Sequence, residues 1–146
     1  MKFKYLLLIF LFIFIYPLWG QLKIYTIGDS TVQDYNDGYS PRKGWGQMLQ
    51  HFFNPSGVTV TNKAVGGTSS KSFYNLFWKA IRDNLKAGDY VLIQFGINDR
   101  NSSDTARYAP APTIFKDYIR KYVSETKAKG AIPILVSTVR RNSWST

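Results

Sequence analysis

The chain has 146 residues, 45% of them apolar and 16% aromatic, with 19 Lys and Arg against 9 Asp and Glu for a formal charge of +10. That suits one modest globular domain and argues against intrinsic disorder, because the apolar share can offset the ordering entropy of a folded chain. With no cysteine there is no disulfide framework and no thiolate metal site, and with one histidine there is no His-rich zinc constellation.

Lys2 and Lys4 precede an apolar run from Tyr5 to Trp19, interrupted late by Pro17 and followed by Gly20-Gln21. This reads as the charged, apolar and processing regions of a secretory signal, with cleavage near Gly20. The expected division is therefore a signal peptide over 1–20 and a folded domain over 21–146, secreted or periplasmic and without stable membrane association after processing. The competing reading, a retained anchor, is weakened because the run falls short of the ~20 apolar residues that span a bilayer. Without Lys2 and Lys4 the remaining 17 bases still outnumber the 9 acids. They are dispersed: Lys116, Arg120, Lys121, Lys127 and Lys129 fall on one solvated helix face, and no nucleic-acid module accompanies them, so no nucleic-acid partner is expected.

In chain order, Leu22 to Ile27 alternates and is rich in β-formers, then stops at Gly28-Asp29-Ser30-Thr31, a strand delivering a tight loop. Gly44 to Phe53 reads as a short helix ended by Asn54-Pro55-Ser56-Gly57. Val58 to Thr61 is a second strand, followed by a loop rich in glycine and hydroxyls, Asn62 to Ser69. From Phe73, the positions Phe73, Leu76, Phe77, Ala80, Ile81 and Leu85 keep one helical face, with Gly88 as a left-handed stop. Tyr90 to Phe95 is almost wholly apolar, as a strand covered on both faces is, and it ends in Gly96-Ile97-Asn98-Asp99. A helix over Thr113 to Lys129, with Phe115, Tyr118, Ile119, Tyr122 and Val123 inward, stops at Gly130, and Ile132 to Val139 makes a fourth strand.

Alternating strands and helices predict a parallel sheet between helical layers, a three-layer α/β/α sandwich whose ligands bind beyond the carboxyl ends of the strands. Ser30, Gly67 and Asn98 each follow a strand, so a parallel sheet brings them to one edge. Ser30 is the natural nucleophile there. Acyl transfer also needs donors aimed at the oxyanion, for which the Ser30 and Gly67 N–H groups and the Asn98 amide are candidates. Each signal taken alone also fits an ordinary turn.

The ordered blocks Gly28-Asp29-Ser30-Thr31, Lys43-Gly44-Trp45-Gly46, Asn62 to Ser69, Gly88-Asp89-Tyr90-Val91 and Phe95 to Asp99 resemble the SGNH (GDSL) hydrolase superfamily, and within it the rhamnogalacturonan acetylesterases. The resemblance runs from Leu22 to about Val139. It implies a flavodoxin-like sandwich, a serine esterase working through an acyl-enzyme, no cofactor and no metal, and an acylated polysaccharide or other small ester as substrate of a monomer. It assigns the nucleophile to Ser30 and the oxyanion hole to Gly67 and Asn98, with Gly66 the alternative to Gly67. Ile97 stands where the acetylesterases carry histidine.

The family's late Asp-x-x-His, which supplies the base, does not occur in this sequence. His51 is the one candidate, and its place in a short helix predicts a surface or packing role. Two readings compete: a hydrolase truncated at its C-terminus, expected because the fourth strand would otherwise expose an apolar pairing edge, and a non-catalytic fragment or carbohydrate-binding pseudoenzyme. Asp29 and Asp99 are expected to brace their loops, Trp45 to pack at a helix start or stack on a sugar, and Asp34, Asn36 and Asp37 to form a surface turn rather than a calcium site.

Overall fold

The computed structural model describes residues 21–36, 38 and 41–138. The expected signal peptide over 1–20, Asp37 and the end of the chain from Val139 lie outside the described residues. Four strands form one sheet: β1 (Leu22–Gly28), β2 (Val58–Asn62), β3 (Tyr90–Gln94) and β4 (Ile132–Leu135). Their order is β2-β1-β3-β4 and every pairing is parallel. Helix α1 (Trp45–Met48) tightens into a 3₁₀ turn (Leu49–Phe52). Helix α2 starts as Ser70–Phe73, passes through a π turn (Tyr74–Trp78) and ends as Lys79–Arg82. Helix α3 starts with a π turn (Ala111–Phe115) and continues as Lys116–Ala128. This is the expected parallel α/β architecture.

Because side chains alternate along a strand, the sheet has two distinct faces. On one, Tyr25 and Ile27 of β1 meet Val91 and Ile93 of β3 beneath α2 and α3, with Phe73, Trp78, Phe95 and Tyr122 completing the core. Tilted and edge-on ring contacts, among them Trp78–Tyr122 at 5.0 Å and Phe73–Phe95 at 5.3 Å, fix how the two helices lie on the sheet. On the other face α1 covers part of the sheet, where Leu49 and Phe53 lie beside Leu22, Ile24 and Leu92.

The inward face of α2 differs from the predicted one. Leu76 is 71% exposed and Phe77 37%, whereas Trp78 is 1% exposed. A π turn adds a residue to the helical repeat, so the positions beyond it rotate and Trp78 takes the place in the core that regular spacing assigns to Phe77. The start of α2 is also earlier than expected: Ser69 caps it by accepting from the Ser72 N–H at 3.1 Å while its own N–H donates to Ser72 Oγ at 2.9 Å. Strand β4 is shorter than its apolar run suggested. The Ile132 and Val136 N–H groups donate to Asp89 and Ile93 of the β3 segment, so Pro133, lacking an N–H, faces away from that pairing. Past Val136 there is no β3 left to pair with, because that chain has turned at Gly96.

Candidate active site

Strand β1 ends at a glycine because nothing larger fits: a Cβ on Gly28 would lie 2.5 Å from Val32 Cγ2 and 2.7 Å from the Gln94 carbonyl. The chain then turns around Asp29, whose buried carboxylate accepts from the Thr31 N–H at 2.9 Å and the Thr31 hydroxyl at 2.8 Å. This side-chain-to-backbone turn is the bracing role expected of Asp29. Ser30 sits on the turn, half-buried, with its carbonyl held by the Tyr35 hydroxyl at 2.7 Å. Its own N–H donates to no acceptor among the described residues.

The loop after β2 is tied to the same place. The Val65 N–H donates to the Gly28 carbonyl at 3.0 Å, and the Thr68 hydroxyl donates to Val65 O at 2.7 Å. Gly67 has φ of 76°, the left-handed region that favours glycine, and its carbonyl accepts from Arg107 Nη1 at 3.1 Å. Gly66 has an ordinary φ but is pressed against the Gln33 side chain. The N–H groups of both glycines lack an acceptor among the described residues, so geometry leaves either able to donate to a ligand.

The loop after β3 closes the triangle. Asn98 Nδ2 donates to the Thr68 carbonyl at 2.8 Å, which uses one of its two N–H groups and leaves the other. Beside it, buried Asp99 reaches the first turn of α2, accepting from the Ser70 N–H at 2.9 Å and from the Ser70 hydroxyl. Burial raises the Asp99 pKa, and the Ser70 hydrogen bonds offset part of that rise. A carboxylate at a helix N-terminus is also favoured by the helix dipole. The loops carrying Ser30, Gly67 and Asn98 thus meet at the carboxyl rim of the sheet, joined by hydrogen bonds through Gly28, Val65 and Thr68.

Gln94 is a residue that sequence reasoning passed over. It is 1% exposed at the end of β3, donates to the Thr31 hydroxyl and accepts from Trp45 Nε1 at 2.8 Å. It locks the serine turn to β3 and commits the Trp45 indole N–H to packing. A signal was present: a lone amide closing an otherwise apolar strand must find partners. His51 lies elsewhere. It is exposed on the 3₁₀ turn, whose neighbour Gln50 bonds Val58 and Val60 at the start of β2, the end of that strand remote from the rim. Among the described residues no three His, Asp or Glu side chains gather as a metal site requires, and Asp34 instead accepts from Asn62 Nδ2 at 2.6 Å.

Known proteins resemble this chain over most of its length. The chain is 39% identical over 119 residues to the Bacillus subtilis protein named "Probable rhamnogalacturonan acetylesterase YesY", covering 81% of this chain and 54% of that one. It is 36% identical to the rhamnogalacturonan acetylesterase RhgT of the same organism, over 84% of this chain and 51% of the relative. The chain therefore spans about half the length of these curated relatives. Among solved structures, YxiM of Bacillus subtilis superposes with a TM-score of 0.72 at 38% identity, covering 81% of this chain and 33% of the other. The model of the GDSL-like lipase/acylhydrolase family matches residues 24–145, and the chain is a member of that family.

Proposed function

We propose that this chain carries the nucleophile and oxyanion-hole part of a serine esterase that removes acetyl groups from a polysaccharide, rhamnogalacturonan being the substrate named for its relatives. The observation that carries the reading is the meeting of the three loops at one rim, with the Ser30 and Gly67 N–H groups and one Asn98 N–H uncommitted among the described residues. In the proposed reaction Ser30 Oγ attacks the acetyl carbonyl and its proton passes to a base. The three donors hold the oxyanion, and collapse releases the sugar hydroxyl and leaves an acetyl-serine that water clears. Export by the signal read over 1–20 is part of the same proposal, and a polysaccharide outside the cell is the substrate such export suits.

The base is the missing part. The one imidazole of this chain, His51, is exposed beside the start of β2. An oxyanion hole without a base retains a rate enhancement of only ~10³–10⁴ in dismantled triads. This favours a second reading of the chain by itself, as a carbohydrate-binding piece with little turnover.

Chemical rescue separates the two. Added imidazole supplies a diffusible base, so hydrolysis of an unactivated acetyl ester such as triacetin by the purified chain is expected to rise with imidazole above the protein-free background. Ser30→Ala is expected to abolish that increment, and an organophosphate is expected to label the parent chain but not the variant. An increment that survives Ser30→Ala refutes the esterase assignment, and no increment in the parent chain supports the binding-only reading.

A further inference from the structure

The stretch from Asn101 to Ala109, which leads from the Asn98 loop towards α3, is braced on three sides. Lys71 Nζ of α2 donates to the Thr105 carbonyl at 2.7 Å, and the Ala109 N–H donates to the Asp99 carbonyl at 2.8 Å. Asp104 closes a turn between them, its Oδ1 accepting from the Ala106 and Arg107 N–H groups at 3.0 and 3.2 Å. Asp104 Oδ2 accepts from Arg107 Nε at 2.5 Å, and this bond holds the Asp104 carboxyl below the usual carboxylate range. Arg107 is thereby aimed: with Nε tied to its own turn, Nη1 reaches across to the Gly67 carbonyl at 3.1 Å. The side chain is 36% exposed, so it serves the rim and not the core.

Gly67 needs a partner of this kind. The Thr68 N–H donates to the Val65 carbonyl at 3.4 Å, which makes Val65 to Thr68 a β-turn with the two glycines at its centre. Gly67 has a positive φ, 76°, and Gly66 does not, the pattern of a type II turn. A type I turn differs by a half-rotation of the central peptide, which carries the Gly66 carbonyl and the Gly67 N–H. Glycine at the third position leaves both forms open, and the long closing bond, common to both, does not choose between them. The flip exchanges the directions of a donor and an acceptor, so it decides which of the two a ligand at the rim meets.

The guanidinium stands where it selects one form. A positive φ brings the preceding carbonyl to the side on which an L residue carries its Cβ, and a Cβ on Gly67 would lie 3.9 Å from Arg107 Nη1. The cation is therefore on the carbonyl side of the central peptide. Charge–dipole attraction favours an oxygen there, and a flip would turn the N–H towards the positive charge instead. We propose that Arg107, aimed by Asp104, is a positioning residue that latches the Gly66–Gly67 peptide in the form that offers the Gly67 N–H to the oxyanion. The use of the latch rests on the esterase reading; its geometry does not.

Nuclear Overhauser contacts in the full chain read the peptide directly, because a type II turn brings the Gly66 Hα close to the Gly67 amide proton and a type I turn brings the two glycine amide protons together. The parent is expected to show the first contact and the neutral variants Arg107→Ala and Arg107→Gln to gain the second, while Arg107→Lys, which keeps the charge, resembles the parent. In imidazole-rescued hydrolysis of triacetin, the neutral variants are expected to lower the Ser30-dependent kcat by at least about tenfold with KM within about twofold, complete loss of one oxyanion donor, about 10²–10³, being the ceiling. Arg107→Lys is expected to stay within about threefold of the parent, a rescue that a merely structural role for the side chain would not give. Unchanged contacts in both neutral variants, a raised KM at constant kcat, or an equal loss in Arg107→Lys overturns the assignment. A turn that changes in the neutral variants without Ser30-dependent hydrolysis in the parent removes the esterase reading and leaves the latch, whereas rescued hydrolysis that the neutral variants leave intact removes the latch alone.

Discussion

Replacing Asp99 by alanine takes away the acceptor from which the first turn of α2 hangs. Ser70 is fully buried, and its N–H and hydroxyl both donate to the same Asp99 oxygen, Oδ1. An orphaned buried donor costs about 1–3 kcal/mol, so the alanine variant is expected to lose about 2–6 kcal/mol, which at about 3–5 °C per kcal/mol lowers the melting temperature by roughly 6–30 °C in a domain of this size. Asparagine is the informative control. It keeps an oxygen at the Oδ1 position and places its amide where Oδ2 already lacks a partner, while removing a carboxylate whose ionisation burial opposes. Asp99→Asn is therefore expected to stay within about 1 kcal/mol of the parent, one unpartnered group replacing another. Thermal unfolding followed by circular dichroism at pH 7 compares the three proteins, and hydrogen exchange at the Ser70 amide reports the bond directly. If Asn and Ala are equally damaging, or the Ser70 amide keeps its protection in Asp99→Ala, the acceptor geometry is not what holds this corner and the reasoning fails.

Two further outcomes follow from the helix pair α2–α3. Glu125 accepts from Tyr74, from Trp78 Nε1 at 2.9 Å and from Arg82 at 3.0 Å. Burial opposes its ionisation, but these hydrogen bonds outweigh burial and hold its pKa below the usual carboxylate range, while hydrogen bonding to Glu125 pushes Tyr74 up to about 12. A depressed carboxylate contributes stability above its unfolded value of about 4.3 and loses it as the pH falls through the folded value. Glu125→Gln is expected to cost about 1–3 kcal/mol at pH 7 and to flatten the decline on acidification, as urea unfolding between about pH 6 and 3 would read; a parallel decline in both proteins would count against it. Trp78→Ala is expected to cost about 3–5 kcal/mol and Phe77→Ala less than about 1, because the π turn buries the first and exposes the second; the opposite ranking in urea would restore the regular-helix reading.

All four strands were legible because each is a short apolar or alternating run punctuated by glycine or a turn, and strands that alternate with helices imply parallel pairing. That the loops carrying Ser30, Gly67 and Asn98 lie at one rim was legible for the same reason, since a loop that follows a parallel strand has its location set by topology. What sequence patterning missed is what depends on three-dimensional partners. The period of α2 misplaced Trp78 and Phe77, because nothing in 3.6-residue spacing announces a π turn. Gln94 and Glu125 are ordinary polar residues until the structure supplies Thr31 and Trp45 for one and Tyr74, Trp78 and Arg82 for the other. The choice between Gly66 and Gly67 was open in the sequence. Here the two glycines differ in φ, yet their N–H groups are equally uncommitted among the described residues.

The position of β1 between β2 and β3 has a consequence for how the protein is made. Residue 24 pairs with residue 90, and the turn that carries Ser30 is pinned by Gln94, so β1, made well before β3, cannot settle until β3 has emerged. Parallel pairings over such distances are entropically slow to form. The loop carrying Ser30 is thus made well before the strand that immobilises it.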